Sequence, residues 1–331
     1  MSVYYSELLS NFREAIGELA GNRVAVLGHM RPDGDCIGSQ VALTRVLSGM
    51  GIESVAVNRD PAPGNLRAFI GDTPFIKESE FEPEGWTAVA VDCADPVRIG
   101  RTLQAQFPDI ILNIDHHISN PGYARHNLIH AQSSATAEIL AGLFYDCEFP
   151  VDAVSAQALY VGIATDTGQF RFQSTTQQVF EICCRLMGDG ADPATAAMDL
   201  YEQESIPKLK LLERFLASLR FECDGRVCVG ILEDGVYAST GANKEDSEGL
   251  VDYARSIEGV DIGVLVEEHN GAIKGSFRSK EPIHRVDLLA TQFNGGGHAC
   301  AAGFNSFGKL QRFYPKLIAS LREHFEKLKE S

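Results

Sequence analysis

The feature that most constrains this chain is a series of short apolar runs that each end in histidine or aspartate. The runs VAVLG, TAVAV and IILNI are followed, in that order, by His29, Asp33 and Asp35, by Asp92, and by Asp115, His116 and His117. Runs of this length, rich in valine and isoleucine, are typical of strands buried on both faces of a parallel sheet. Because ligands of such sheets bind beyond the carboxyl ends of the strands, the polar clusters are expected to meet at one edge.

The pattern between these runs predicts the fold class. The expected elements are strands at 24–28, 53–57, 87–91 and 110–114 and helices at 35–50, 152–165 and 176–188. Strands that alternate with helices form a mainly parallel sheet with helices on both faces. The first part of the chain, 1–194, is therefore predicted to be an α/β domain of that type.

The length of 331 residues allows about two domains of roughly 150 residues each. After residue 194 a charged helical stretch at 195–220 is expected to link them, and Pro207 should end or kink a helix there. A smaller α/β domain is predicted at 221–331. Its expected elements are strands at 226–232, 260–267 and 272–279 and helices at 246–257, 286–293 and 309–329.

Charge and cysteine content exclude several classes of protein. The chain carries 29 basic and 45 acidic side chains, a formal charge of −16, whereas a protein that coats long nucleic acids needs clustered cations facing phosphates. The eight cysteines include no Cys-x-x-Cys pair, which favours reduced thiols over a disulfide framework or a zinc ribbon. Neither a signal peptide nor a membrane span is apparent, so a cytoplasmic protein without membrane association is expected.

The polar clusters have the composition of a metal site. A fourth apolar run, ALYVGIAT, ends at Asp166. The candidate ligands are His29, Asp33, Asp35, Asp92, His116 and Asp166. Nitrogen and carboxylate ligands together suit manganese better than magnesium, and six are about right for two ions that share a bridging carboxylate. Such a pair of ions can hold a hydroxide and clamp a phosphoryl group, which predicts phosphoester hydrolysis.

Each motif taken singly also fits a structural interpretation. Asp35 could cap the following helix, Asp115 to His117 could form a surface turn, and Asp166 could cap a helix end. Their joint occurrence, in this order and at the ends of predicted elements, favours the metal site.

Four motifs resemble those of the DHH phosphoesterases: GHMRPDGDCIGS, VDCAD, IDHH and YVGIATDTGQF. FRS at 277–279 and NGGGHACAAG at 294–303 resemble the DHH-associated nucleotide-binding domain, so the resemblance covers nearly the whole chain. Within the family, the length and layout are most similar to the bifunctional oligoribonucleases that degrade nanoRNA and also dephosphorylate 3'-phosphoadenosine 5'-phosphate (pAp).

The resemblance implies a role for each ligand. His29 and Asp33 would hold one ion, Asp35 and His116 the other, and Asp92 would bridge them. Asp166 would complete the second ion's shell. The one departure noticed in the first motif is Cys36, where a small alanine is common.

The resemblance also implies which residues assist the reaction. His117 would touch the scissile phosphate and assist the leaving oxygen. Asp115 would orient His116 through a hydrogen bond.

Substrate contacts are predicted in both domains. In the first, Ser134 with its neighbours Ser133 and Thr136 fits either a phosphate site at a helix start or an ordinary helix cap, and Arg98 fits either a phosphate contact or a cap of a helix at 97–106. In the second, the predicted contacts are Arg278, Ser279, Gly295, Gly296, Gly297 and His298. Arg278 is the best candidate for a bidentate grip on a second phosphate.

The expected function is hydrolysis of dinucleotides, very short RNA and pAp with two divalent ions, most simply Mn2+, by a chain that could form a homodimer. Long strands are not favoured, because few cations lie outside the site. The alternatives are a cyclic-dinucleotide phosphodiesterase, a pyrophosphatase, a long-strand exonuclease and a non-catalytic nucleotide sensor.

Overall fold

The computed structural model describes the backbone of residues 3–330 and the side chains of 3–328. Residues 1, 2 and 331, which the predicted domain ranges include, lie outside the described part. The chain divides into two compact units, the first ending at Gln203 and the second beginning at Glu204. The predicted linker at 195–220 is thereby shared between the two units.

The first unit contains a parallel sheet. Its strands are β1 (Arg23–Leu27), β2 (Ser54–Asn58), β3 (Phe75–Lys77), β4 (Trp86–Val91), β5 (Ile110–Asp115) and β6 (His126–Ile129). The order across the sheet is β3-β2-β1-β4-β5-β6, and every neighbouring pair is parallel. The four predicted strands are confirmed. The short edge strands β3 and β6 were not predicted, because neither contains an apolar run.

Helices cover both faces of this sheet, as the alternation predicts. They are α1 (Ser6–Leu19), α2 (Gly34–Gly49), α3 (Arg101–Gln106), α4 (Thr136–Asp146), α5 (Ala153–Asp166), α6 (Gln177–Gly188) and α7 (Pro193–Tyr201). Val24 and Val26 of β1 pack with the core of α1, α2, α4, α5 and α6, whereas Ala25 and Leu27 pack on the opposite face with Leu103 of α3. Successive residues of a strand point to opposite faces, so a continuous apolar run supplies both cores.

The crossing of α2 and α5 positions two of the candidate ligands. A Cβ on Gly38 of α2 would lie 2.3 Å from the carbonyl oxygen of Ala158 in α5, so only glycine allows this approach. The close contact places the start of α2, with Asp35, beside the end of α5, with Asp166.

The second unit contains a mixed sheet. Its elements are α8 (Ile206–Ala217), β7 (Arg220–Glu222), β8 (Val227–Leu232), α9 (Val236–Thr240), α10 (Leu250–Ser256), β9 (Ile262–His269), β10 (Ala272–Ser279), α11 (Val286–Thr291), β11 (Gly296–His298), β12 (Ala301–Phe307) and α12 (Leu310–Glu330). The order is β11-β12-β10-β9-β8-β7; β8 and β9 are parallel and the other pairs antiparallel. The predicted smaller α/β unit is confirmed.

Helices pack on both faces of this sheet. On one face, Phe277 of β10 and Phe304 of β12 pack with α11 and α12. On the other, Leu211 and Phe215 of α8 pack with β8, β9 and α10. Pro207 lies in the first turn of α8 rather than ending a helix, because a proline there lacks only an N–H that has no intrahelical partner.

Among the described residues, no helix combines the length and the apolarity needed to cross a membrane.

Candidate metal centre

The candidate site lies where the order of the first sheet reverses. The chain passes from β1 to β2 on one side and later enters β4 on the other side of β1. This arrangement opens a crevice at the carboxyl ends of β1 and β4, where parallel sheets bind ligands. His29 follows β1, Asp92 follows β4 directly, and His116 follows β5 directly.

His29 faces two carboxylates. Its Nε2 lies 3.4 Å from Oδ2 of Asp92 and 3.6 Å from Oδ2 of Asp33. Asp33 also caps α2, since its Oδ1 accepts a hydrogen bond from the backbone N–H of Cys36 at 3.1 Å. The helix cap predicted for Asp35 is therefore made by Asp33, whose second oxygen still faces the site.

His116 faces the remaining carboxylates. Its Nε2 lies 3.3 Å from Oδ2 of Asp166, 3.7 Å from Oδ1 of Asp92 and 3.8 Å from Oδ2 of Asp35. Asp92 thus presents one oxygen to each histidine. The structure brings all six predicted ligands into one cluster.

Both histidines present the ring nitrogen that a metal would use. The Nδ1 atoms of His29 and His116 lie 2.9 Å from the carbonyl oxygen of Met30 and 3.4 Å from that of Ser133. A carbonyl only accepts, so the proton is assigned to Nδ1 and the lone pair of Nε2 faces the carboxylates. This arrangement is typical of metal-ligating histidine.

The carboxylates are an unfavourable group without a cation. Burial raises the pKa of both Asp92 and Asp166 well above the usual value, and the charges of Asp35 and Asp33 raise both further. The pKa of Asp35 is raised as well, chiefly by burial. Buried carboxylates of this kind are stabilised by protons or by metal ions.

The donor set fits divalent metal ions. Three groups each have ligand atoms within 4.8 Å of one another: Asp35, His116 and Asp166; Asp92, His116 and His117; and His29, Cys36 and Asp92. Mixed nitrogen and oxygen donors are typical of transition-metal sites. Cys36, which the resemblance marked as a departure, is fully buried within the third group, and burial raises the pKa of its thiol to about 12.

Asp92 has a strained backbone. Its φ is +52°, a left-handed conformation that is uncommon for a residue other than glycine. The conformation is held because its N–H donates to the carbonyl of Ile114 at 3.0 Å and its Oδ1 accepts from Oγ1 of Thr136 at 3.2 Å. Such strain is concentrated at functional sites.

Asp115 contacts His117, and the prediction that it orients His116 is wrong. Its Oδ1 lies 2.7 Å from Nδ1 of His117. Asp115 ends β5, and alternate residues of an extended chain share a side, so it reaches the second histidine rather than the first. Burial raises the pKa of Asp115, but hydrogen bonds from His117 and Asn120 outweigh it and the net shift is downward. His117 is left with a free Nε2 and a side chain that is 29% exposed.

Ser134 does not form a phosphate site. It is 3% exposed, and both its N–H and its hydroxyl donate to Oε2 of Glu138, at 2.6 and 2.8 Å. The first free N–H groups of α4, those of Thr136 and Ala137, donate to the two oxygens of Asp35 at 2.7 and 2.8 Å. The start of α4 is therefore occupied by a carboxylate of this chain, which the sequence around α4 does not reveal.

Arg98 lies in a 3-10 helix, Pro96–Ile99, and the predicted helix at 97–106 is interrupted at Gly100, whose φ is +105°. Asp95 caps the 3-10 helix instead, since its Oδ1 accepts from the N–H of Val97 at 2.8 Å. Burial raises the pKa of Asp33, but His29 and the charge of Arg98 lower it, with a net downward shift. The positive charge of Arg98 therefore acts on one of the candidate ligands, Asp33.

Sequence reasoning missed two further cations at this edge. Arg31 and Arg59 follow β1 and β2, and Nη1 of Arg59 lies 2.7 Å from the thioether sulfur of Met30, a weak acceptor. In the described part of the chain, neither these two residues nor Arg98 forms an ion pair with a carboxylate. The sequence could have indicated them, because each follows one of two neighbouring predicted strands.

Arg278 is half-buried and lies on the face of β10 opposite to Phe277, away from α11 and α12. Arg278 pairs with Ala301 of β12, and Ala301 pairs in turn with His298 of β11. A small residue therefore separates the two candidate contacts, Arg278 and His298. Ser279 is the next residue and faces the opposite side; it is 4% exposed and its hydroxyl donates to the carbonyl of Glu281 at 3.0 Å. The prediction of Ser279 as a substrate contact is wrong for that reason.

The glycine run forms the edge strand β11 rather than a loose turn. A Cβ on Gly295 would lie 2.1 Å from the carbonyl oxygen of Gly303, and one on Gly297 2.4 Å from that of Ala301. Strand pairing therefore explains these two glycines. A Cβ on Gly296 would meet nothing within 4 Å, so no contact within the described residues requires glycine at this position.

Comparison with known families identifies both units. Residues 23–163 match the DHH family, N-terminal domain, and residues 224–327 match the DHHA1 domain. The bifunctional oligoribonuclease and PAP phosphatase NrnA of Thermus thermophilus is 30% identical over 91% of this chain and 89% of its own length. The protein of the same name from Bacillus subtilis is 26% identical over 89% of this chain and 94% of its own length.

Solved structures share the fold. An exopolyphosphatase-related protein from Bacteroides fragilis superposes with a TM-score of 0.87 at 24% identity, over 97% of this chain and 96% of that one. RecJ from Thermus thermophilus, solved with Mn2+, gives a TM-score of 0.52 at 15% identity, over 98% of this chain and 56% of RecJ.

Proposed function

Because the chain belongs to the DHH family of phosphoester hydrolases, we propose that it is a metal-dependent phosphoesterase that converts very short oligoribonucleotides to mononucleotides and pAp to AMP. The relatives named bifunctional oligoribonuclease and PAP phosphatase, which match most of the chain, support this choice of substrates. The observation that carries the proposal is the position of Asp92 between the Nε2 atoms of His29 and His116.

The cluster suits two divalent ions, and Mn2+ is the ion we propose. His29 and Asp33 would hold one ion, and His116, Asp35 and Asp166 the other, with Asp92 shared. Ions bound there would activate water for attack and neutralise charge on the phosphoryl oxygens. Asp92 presents Oδ2 to His29 and Oδ1 to His116, which supports a bridging role.

His117 is the proposed catalytic residue that contacts the scissile phosphate. Its Nδ1–H donates to Asp115, so Nε2 faces outward and, when the ring takes up a second proton there, can pass it to the leaving oxygen. Asp115 keeps the neutral ring in the Nδ1–H tautomer and holds its orientation. The same pairing of a carboxylate with histidine serves this purpose in other hydrolases.

Substrate binding is assigned to a small number of groups. Arg98, with Arg31 and Arg59, would attract phosphate at the edge of the first sheet, and Arg278 with Gly296 and His298 would hold a nucleotide on the second sheet. The chain's charge of −16 offers a long strand little further attraction, which favours substrates of a few nucleotides.

The location and the assembly are separate proposals. Substrates of this kind and the free thiols of all eight cysteines, each in the described residues, agree with a cytoplasmic enzyme. Light scattering of the purified chain would establish whether it forms a homodimer.

A substrate panel tests the proposed function. One preparation would be assayed with Mn2+ and with Mg2+ against pAp, linear pApA, cyclic di-AMP, pyrophosphate and RNA of 2 to about 20 nucleotides. We expect turnover of pAp and dinucleotides, falling with RNA length. Preference for cyclic di-AMP or pyrophosphate, or rates that rise with length, would contradict the assignment, and tight binding of pAp without turnover would indicate a sensor.

A further inference from the structure

A hydrogen-bond network joins the loop after β4 to the loop after β5. At its centre is the side-chain amide of Asn120. Nδ2 of Asn120 lies 2.6 Å from Oδ2 of Asp115, 2.7 Å from Oδ1 of Asn113 and 3.3 Å from the carbonyl oxygen of Cys93. One amide of the loop after β5 therefore contacts two oxygens of strand β5 and one of the loop after β4.

Two neighbours extend the network. Nδ2 of Asn113 donates to the hydroxyl of Tyr123 at 3.0 Å, and that hydroxyl donates to the carbonyl of Cys93 at 2.8 Å. Asn113 is fully buried within β5, and all the remaining residues of the strand from Ile110 to Ile114 are apolar. A buried amide in a strand is costly unless it is hydrogen-bonded, so this network accounts for its presence.

The orientation of Asn120 is fixed by its own loop. Its Oδ1 accepts from the N–H of Gly122 at 2.9 Å, and its backbone N–H donates to the carbonyl of His117 at 3.1 Å. With Oδ1 engaged, Nδ2 must face Asp115. An aspartate here would place a second negative charge against that carboxylate, so the amide chemistry of asparagine is required.

Both ends of the network reach the candidate metal centre. At one end, Asn120 holds Oδ2 of Asp115 while Oδ1 of Asp115 holds Nδ1 of His117 at 2.7 Å. At the other end, the carbonyl of Cys93 follows Asp92, whose left-handed backbone needs support. The network thus links the position of His117 to that of Asp92.

We propose that Asn120 is a positioning residue for the hydrolysis, which holds His117 and the Asp92–Cys93 peptide in a fixed relative arrangement. Asn113 and Tyr123 stiffen the same network. The proposal rests on the proposed function, because it requires His117 to act on a phosphate held at Asp92.

The first test removes the amide. Asn120→Ala should lower kcat on pAp about 10- to 100-fold, the loss typical of groups that orient a metal site's residues. KM should stay near that of the wild type, since Asn120 is not a proposed substrate contact. The Mn2+ affinity measured by calorimetry should change less than kcat, since Asp92 keeps its hydrogen bonds with Ile114 and Thr136. Asn127→Ala is the matched control: within the described part of the chain, this side chain bonds only the backbone of Ala124, at 3.0 and 2.6 Å, and its loss should leave kcat unchanged.

The second test removes both partners. Because Asn120 is proposed to act through Asp115, adding Asn120→Ala to Asp115→Asn should lower kcat by less than Asn120→Ala does in the wild type. Residues coupled in one network are not additive. Should Asn120→Ala fail to fold, Tyr123→Phe, which removes one hydroxyl, should still lower kcat without raising KM.

The outcomes separate this proposal from the one on which it rests. A wild-type protein that does not hydrolyse pAp with Mn2+ would overturn both. An active wild type, together with an Asn120→Ala variant of equal kcat or an Asn120→Ala effect that is just as large in the Asp115→Asn background, would overturn the positioning role alone.

Discussion

The sheets of the two units present their candidate residues in different ways. The parallel sheet of the first unit brings loops from β1, β4 and β5 to one edge, where Asp35, Asp92 and Asp115 are buried with histidines between them. The second sheet exposes a face of β10 and β12 on which small residues surround Arg278. Many strand ends at one edge can assemble a dense cluster of ligands, whereas a flat face with few charged groups can accommodate a larger ligand.

The largest expected effect concerns the dense cluster. Asp166→Asn keeps the shape of the side chain but removes the charge that faces Nε2 of His116, so kcat on pAp and on dinucleotides should fall more than about 100-fold. Initial rates with saturating Mn2+ measure this. Asp189→Asn, at the end of α6, is the matched control and should retain normal rates; a similar rate for Asp166→Asn would remove this residue from the site.

The open face should respond differently. Arg278→Ala removes a cation that we propose as a substrate contact and leaves the proposed metal ligands in place, so KM for pAp should rise about 10- to 100-fold while kcat changes little. Lys280→Ala is the control, since among the described residues the side chain of this exposed lysine bonds only the carbonyl of Ile257. Steady-state kinetics that show a fall in kcat, or equal effects in both variants, would contradict the division of roles.

A change of pH should also affect the two units differently. Burial raises the pKa of Asp92 and Asp166 well above the usual value in the metal-free protein, so these carboxyls hold protons more readily, and any proton held there must leave when a cation binds. The Mn2+ affinity should therefore fall as the pH falls, by about 10-fold per unit for each proton released. In the second unit, the ion pair with Arg285 lowers the pKa of Asp287, which gives it no such proton to release.

Melting temperature measures this coupling. Ligand that binds only the folded chain raises stability in proportion to the logarithm of its concentration over Kd, so the increase caused by Mn2+ should be larger at pH 8 than at pH 6. An increase that does not depend on pH would mean that the carboxyls are already ionised without metal.

The smallest effect tests the edge of the open face. Gly297 has a φ of +152° and no room for a Cβ, so Gly297→Ala should lower the free energy of unfolding by about 1 to 3 kcal/mol. Gly296→Ala, at an open position without that backbone strain, should change it by less than about 0.5 kcal/mol. Denaturant titration of both variants compares them, and equal losses would show that β11 tolerates a side chain at either position.

The sequence predicts those features of this molecule that depend on residues close together in the chain. Apolar runs that end in polar residues placed β1, β4 and β5 correctly, and the position of His29 and Asp92 at their ends followed from parallel topology. Edge strands such as β3 lack that signal and were missed.

What the sequence could not supply is the choice of hydrogen-bond partner. Asp115 reaches His117 rather than His116, and Asp35 from α2 occupies the N–H groups at the start of α4, about a hundred residues away along the chain. Ser279 was placed on the wrong face because motif resemblance carries no information on strand alternation. Each of these contacts depends on tertiary packing that no local pattern specifies.

The most direct test of the central claim is the rate of phosphate release from pAp as Mn2+ is added to metal-free protein, compared between the wild type and Asp92→Asn. The wild type should gain activity with Mn2+ and produce AMP, and the variant, which lacks the shared carboxylate, should stay inactive on pAp and on dinucleotides. Equal rates in the two proteins would place the hydrolytic site elsewhere, and a wild type that binds pAp without releasing phosphate would contradict the enzymatic function itself.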